Sequence, residues 1–436
     1  MRVPESSYQS RGPYVLTTGA ILVLFIAYAI QLNSPLRLNT DACEILKLTA
    51  KLTDGQPYLT NGTRPIFPIG IPLTFSFMER AGIASPFGFG LLNLICILIT
   101  ACAAWTICKA LKMNELTRLA IILISLSNFV LIKHSVIPLT DIPYLMVSLL
   151  AIALLEVFLE QRPGRQLITF IFAVLSVGGA ILARRIGIAL IPAVLYTLWQ
   201  WWCRKEGRQC AFSYRRIFLA GRGLLMLACA LGLAAIVTGT MFRRIVYVPD
   251  LRFGDSIFAA VVKQIKMRLT DFGELTINMP TARLGKYYPV IFVAGILLAA
   301  LIALGLWRAR RDLHPTHIYL IFYIAVLAIW PYGDARFWIP VLPIIAILVV
   351  QAIAPSTHPR VSSCLVPIYL ALYGIAACGA LAYTTRISFA GNRFPEVYGD
   401  GSLRARYERA WEGQLNVPSN DEIVNLMRRY GKPSAP

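Results

Sequence analysis

Apolar residues run in blocks of about 20 along most of the chain, the length an α-helix needs to cross a hydrocarbon layer of roughly 30 Å at 1.5 Å per residue. Read this way, the sequence predicts about 11 spans, near 14–32, 86–108, 118–133, 138–158, 167–183, 186–202, 221–241, 289–307, 315–331, 337–354 and 362–383. Two links between spans are far longer than turns. In the first, 33–85, apolar positions at 45, 46, 48, 49 and 52 follow helical spacing while Lys47 and Lys51 lie four apart. The second, 242–288, carries Ile257, Phe258, Val261, Val262, Ile265 and Leu269 on one stripe, with Lys263, Lys266 and Arg268 off it. Each predicts an amphipathic helix lying on the membrane surface.

Composition agrees with the pattern. Hydrophobic residues make up 57% and charged residues 15%, with a mean hydropathy of +0.63, which excludes a water-soluble globule. The expected fold is an all-α polytopic membrane protein. A net charge of +20 would suggest nucleic acid on a soluble protein; here it reads as loop charge facing anionic lipid, with no nucleic-acid partner. The nine cysteines show no metal-finger spacing and fall mostly in or beside apolar blocks, which argues against a disulfide framework. The first block is too long for a signal-peptide core and lacks a small-x-small cleavage site, so it is expected to be retained. After Tyr383 the chain turns polar. This divides it into a transmembrane module, 1–384, and a short extracytoplasmic tail, 385–436, too small to build much core alone. No internal repeat and no pair of broken helices is visible.

Seventeen of the 42 basic residues fall in the short links that would be cytoplasmic if the N-terminus is inside, at about twice the density of the other links. This sets the N-terminus in and the tail out, and puts most acidic residues on the outer side.

Four outer span ends carry ionisable groups where burial is expensive. Asp41 and Glu44 follow the first span at an i,i+3 spacing; Thr40 or Asp41 as a helix cap, with Glu44 favouring the helix start, is the bland alternative. Asp141 opens a span between Pro138 and Pro143, where capping again competes with function, and His134 precedes it. His134, Asp141 and Glu44 are a conceivable divalent-metal cluster, and no other cofactor is expected. Arg184 and Arg185 interrupt two spans, fitting either lipid headgroups or a bidentate phosphate site. Asp334 and Arg336 share a short turn before Pro340 and Pro343, where a local ion pair competes with a cavity-facing guanidinium.

In their order and common face these motifs resemble the GT-C superfamily of integral-membrane glycosyltransferases, especially the branch of protein O-mannosyltransferases and the lipid A aminoarabinose transferase. The resemblance covers 14–383. Its elements are Thr40-Asp41 with Glu44, leading into Gly55-Gln-Pro-Tyr58 and Arg64-Pro-Ile-Phe-Pro-Ile-Gly-Ile-Pro72; Pro138-Leu-Thr-Asp141-Ile-Pro; Gly178-Gly179 to Arg184-Arg185; and Arg336-Phe-Trp-Ile-Pro340-Val-Leu-Pro343. Ala42 stands where a second acid is often seen, and Arg64-Pro-Ile replaces the Lys-Pro-Pro of the lipid A branch.

The resemblance implies a sugar donor linked to a polyprenyl phosphate and transfer, with inversion, to an extracytoplasmic acceptor: lipid, glycan or protein. It assigns Asp41 as general base, Glu44 and Asp141 as supporting acids, and Arg184, Arg185 and Arg336 to the donor phosphate. The implied site is on the outer face of the membrane, among membrane lipids, and chain length and compact loops favour a bacterial inner membrane. A lipid or sugar transporter or flippase, an oligosaccharide ligase and a non-catalytic assembly subunit remain the alternatives. A transporter would need polar groups along a path to both faces, and a ligase would keep the arginines without needing the acids after the first span.

Overall fold

A computed structural model describes residues 12–205 and 257–431, apart from 61, 64, 162, 329, 331, 354–358, 399–404 and 409–420. The expected span 221–241, the first part of the second long link and Arg64 lie outside the described residues. The described chain is helical: α1 (Gly12–Ile30), α2 (Thr40–Thr53), α3 (Gly70–Arg80), α4 (Pro86–Ala110), α5 (Glu115–Leu126), α6 (Phe129–His134), α7 (Asp141–Glu160), α8 (Pro163–Ala183), α9 (Ile191–Lys205), α10 (Ile257–Ile277), α11 (Tyr288–Ala309), α12 (Pro315–Ala328), α13 (Leu342–Ile353), α14 (Pro359–Ser388) and α15 (Glu422–Tyr430). Short 3-10 turns, Arg185–Leu190 and Ala335–Val341, lead into α9 and α13.

Among the described residues eight helices are long and apolar enough to cross a membrane, and each coincides with an expected span. The central one is α7, 72% of whose apolar window is buried against α4, α8 and the Ala335–Val341 turn. By contrast α1 and α14 expose large apolar side chains such as Leu16 and Ile375, as helices facing lipid do. The expected span 315–331 is represented by the shorter α12.

The expected span 118–133 is not one helix. It breaks at Ser127 and Asn128 into α5 and α6. At membrane depth the backbone groups freed by a break must be met by protein. Here two asparagines meet them. Asn128 caps α6 by accepting from the Val130 N–H at 3.0 Å, and its amide donates to the Leu275 carbonyl (3.3 Å) and the Tyr373 hydroxyl (2.9 Å). Asn278, in the left-handed region at φ 60, accepts from the Phe129 N–H (2.6 Å) and donates to the Ser127 carbonyl (3.2 Å).

Both long links contain the expected amphipathic helices, with differences in what they lie on. The α2 face carrying Ile45, Leu46 and Leu48 is buried within the protein, where α3 and α15 pack on the helix. In α10 the apolar stripe points outward, Val262 and Ile265 being 46% and 54% exposed, while Arg268 and Asp271 on the polar side are buried. The helix crosses α11 at glycines: a Cβ on Gly295 would sit 1.8 Å from the Leu269 carbonyl oxygen, so no larger residue permits this approach.

The tail is drawn into the bundle instead of standing apart. Phe394 and Tyr407 are fully buried, and Tyr430 nearly so.

Candidate active site

The four charged span ends meet at one end of the bundle. In the first, Asn39 is the cap of α2, accepting from the Ala42 N–H at 2.8 Å. Neither Thr40 nor Asp41 has that task, so the capping alternative for Asp41 falls and its carboxylate is free to turn elsewhere. It pairs with Arg336, 295 residues away in sequence. Arg336 also has its Nε 2.9 Å from Asp334 Oδ2, an ion contact whose angle does not make a hydrogen bond. Asp334 in turn caps its own 3-10 turn by accepting from the Arg336 N–H at 2.9 Å. The local Asp334–Arg336 pair is therefore present, and the same guanidinium also reaches Asp41 of α2.

Asp141, the first residue of α7, makes no cap; it is 2% exposed and paired with Arg184. Burying a carboxylate here is offset by that guanidinium. The turn before it is held from α4, where the Asn93 amide donates to the carbonyls of Ser135 (3.0 Å) and Ile137 (3.1 Å). His134 is buried in the same turn, its Nδ1 2.7 Å from the Val130 carbonyl oxygen, and Asp141 and Asp334 are the carboxylates whose charge acts on its ring.

Phe337 joins the two ion pairs. The Arg184 guanidinium lies 5.5 Å and the Arg336 guanidinium 5.2 Å from its ring centroid. The site thus brings together Asp41, Asp141, Arg184, Arg336 and His134.

Arg185 goes another way. Arg184 is extended (φ −149, ψ 139), and successive side chains on extended backbone point to opposite sides. Arg185 donates to the Pro65 carbonyl at 2.6 Å, pinning the loop between α2 and α3. Glu44, in α2, holds that loop as well: it accepts from the Thr60 hydroxyl at 2.7 Å and lies 3.7 Å from Lys47. Tyr58 sits between them, its phenol pushed up by burial, with Arg185 opposing the shift and Glu44 adding to it. So the expected trio of arginines divides into two at the site and one on the loop. The expected His134, Asp141 and Glu44 grouping does not gather either, and no cluster of three metal-ligating side chains is found among the described residues. Phe337 and Asn93 were not anticipated. Phe337 had a signal, since an aromatic next to Arg336 in a proline-bracketed turn has little room to point away; Asn93, a lone amide within an apolar block, had a weaker one.

Chemically, the arrangement offers two guanidiniums able to take an anion in planar, bidentate fashion, each resting on a carboxylate, of which Asp41 is the more open, 33% exposed against 2% for Asp141.

The family model of dolichyl-phosphate-mannose-protein mannosyltransferases matches residues 64–237. No curated protein matches the chain in sequence. Among solved structures, the archaeal oligosaccharyltransferase AglB from Archaeoglobus fulgidus, in complex with an inhibitory peptide and a dolichol-phosphate, aligns at a TM-score of 0.50 and 13% identity over 95% of this chain and 64% of its own. ArnT from Cupriavidus metallidurans, bound to undecaprenyl phosphate, aligns at 0.46 and 16% identity over 97% of this chain and 75% of its own. At 13% identity the likeness to AglB is one of fold.

Proposed function

We propose that this chain, a membrane protein of the GT-C superfamily, transfers a sugar from a polyprenyl-phosphate donor to an extracytoplasmic hydroxyl acceptor with inversion. The observation that carries the reading is the open ion pair of Asp41 with Arg336, beside the buried pair of Asp141 with Arg184.

The donor's lipid tail lies against the exposed apolar helix faces, and its phosphate reaches Arg184 and Arg336. A phosphate is a stronger bidentate partner for Arg336 than one carboxylate, so its arrival frees Asp41. Asp41 then takes the proton of the acceptor hydroxyl as that oxygen attacks the anomeric carbon. The bond from that carbon to the phosphate oxygen breaks, its electron pair stays on the phosphate, and polyprenyl phosphate leaves. Charge grows on the phosphate in the transition state, where the fixed guanidiniums over Phe337 favour it. A single displacement of this kind inverts the anomeric centre. Asp141 keeps Arg184 in place. Arg185 and Glu44 hold the loop between α2 and α3, and His134 stands in the turn before Asp141 as a support.

The site end is assigned to the outer side of the membrane on the basic density of the opposite links, and the membrane to a bacterial inner membrane on chain length and the compact loops. Mass spectrometry of lipid co-purified with the protein, followed by incubation with the polyprenyl-phosphate sugar so identified, tests the reading. Release of polyprenyl phosphate in step with glycosylated acceptor supports it; a bound lipid without a sugar phosphate and no donor turnover defeats it.

A further inference from the structure

The link that carries Asp41 out of the membrane, residues 34–39, has no regular structure of its own, so its backbone groups need partners from elsewhere. The tail supplies them. The Tyr407 hydroxyl accepts from the Leu38 N–H at 2.8 Å and donates to the Leu36 carbonyl at 3.1 Å, and the Tyr398 hydroxyl donates to the Leu38 carbonyl at 3.0 Å. These contacts end one residue before the Asn39 cap and three before Asp41. Phe394 stacks on Tyr398 and meets the edge of Tyr407, so the two phenols are held as a unit.

A second grip lies at the far end of the same helix. Arg429 of α15 makes a bidentate pair with Asp54, at 2.9 and 2.8 Å, just past the end of α2. Arg429 also reaches Glu79 of α3, which takes the Tyr430 hydroxyl (2.8 Å) and the Thr53 hydroxyl (2.8 Å). Midway, Lys47 pairs with Glu422. The tail therefore holds α2 before its first residue, along its length and beyond its last.

We infer that the C-terminal tail is a brace for α2, and that Tyr407 and Arg429 are positioning residues which set Asp41 against Arg336 and the acceptor. This rests on the reading of Asp41 as base. A base must stand within hydrogen-bond reach of the proton it takes, and a misplacement of about 1 Å by a change far from the chemistry costs up to about a hundredfold in rate. Tyr407 acts through the backbone of Leu36 and Leu38.

The test uses the full chain in detergent or nanodiscs, with Tyr407→Phe, which keeps the ring and removes only the hydroxyl, and Arg429→Ala and Arg429→Lys. Hydrogen exchange of the amides in 36–45 reads the brace without reference to activity. The expected result is exchange about tenfold faster in Tyr407→Phe and Arg429→Ala, a kcat about tenfold lower, an unchanged donor KM and a melting temperature still well above that of the assay, with Arg429→Lys restoring part of the rate. Unchanged exchange overturns the brace. Faster exchange with an unchanged kcat, while Asp41→Asn abolishes transfer, overturns the positioning role. So does a fall in kcat matched by losses in melting temperature and KM. If Asp41→Asn itself retains transfer, the base reading has failed and the positioning proposal falls with it, a result separate from all the others.

Discussion

Two arginine–aspartate pairs at the same end of the bundle differ in how completely they are used. Arg268 of α10 donates to Asp271 (3.0 Å) and to the carbonyls of Leu327 (3.0 Å), Trp330 (2.5 Å) and Tyr332 (2.9 Å), and Asp271 also takes the Trp338 indole N–H at 3.3 Å. Both side chains are about nine-tenths buried, and little of their hydrogen-bonding capacity is left. Arg336 has two carboxylates and an aromatic face, but Asp41, its main partner, is one-third exposed. The lesson is that a charge at membrane depth is not by itself a mark of function. The saturated pair ties α10 to the ends of α12 and the Ala335–Val341 turn. The open pair keeps room for something else to bind.

Four experiments sharpen or break this contrast. Arg268→Ala carries the largest effect, since it leaves Asp271 and three carbonyls without their partner; we expect a loss of about 3–5 kcal/mol in stability, measured by thermal unfolding in detergent. If Arg336→Ala costs as much stability as Arg268→Ala, the distinction between the pairs is lost. Asp41→Asn comes next. Because Asn39 is the cap, this change leaves the start of α2 intact, and transfer should fall by at least about a hundredfold, ~2.7 kcal/mol, with normal expression and donor binding. Retained activity in Asp41→Asn alongside loss in Glu44→Gln or Asp141→Asn would name a different carboxylate.

The third compares neighbours. Arg184→Ala and Arg336→Ala should each weaken donor use by about 1.5–3 kcal/mol, with poor rescue by Lys, whereas Arg185→Ala should weaken it less, because its guanidinium serves the Pro65 carbonyl. Equal losses in kcat/KM for Arg184→Ala and Arg185→Ala would contradict the separation of the two side chains. The smallest effect is on pH. The Arg429 guanidinium holds the Asp54 carboxyl below its ordinary value, so the attachment of α15 is fully present above the usual carboxylate range and is lost as pH falls through the depressed value. The protection of α15 amides, taken relative to the intrinsic exchange rate at each pH, should therefore hold at pH 6 and fall in acid below the ordinary carboxylate range. Because the pair is largely exposed, high salt should weaken it at every pH.

How far the sequence carried these conclusions depended on whether a feature is local. Eight spans are legible because length and hydropathy are properties of a single segment. The charged span ends are legible for a similar reason: Asp41, Asp141, Arg184 and Arg336 are each out of place in an apolar context, whatever they touch. Partnership is not local. That Arg184 and not Arg185 joins Arg336 follows from an extended φ at one residue, which no spacing rule reports. The cap at Asn39 was missed because Thr40 and Asp41 are equally good capping types, and only the backbone decides among them. In α10 the apolar stripe was legible and does face outward; what spacing could not report is the other side, where Arg268 and Asp271 find one another and the Leu327 carbonyl of α12. The tail looked too short to form a core, and it forms none alone; its tyrosines complete one begun by residues 36–38.

The break between α5 and α6 also bears on the order in which the chain is assembled. Its freed backbone groups are met by Asn278, 149 positions after Phe129 and 151 after Ser127. At a synthesis rate of 5–20 residues per second, the partner emerges roughly 8–30 s after the break does. During that interval this segment cannot settle in lipid as two finished pieces; it must stay in the translocation channel, remain a straight helix, or borrow water. A ribosome stalled before residue 278 would therefore leave the third hydrophobic segment, 118–133, without the side chain that completes its break.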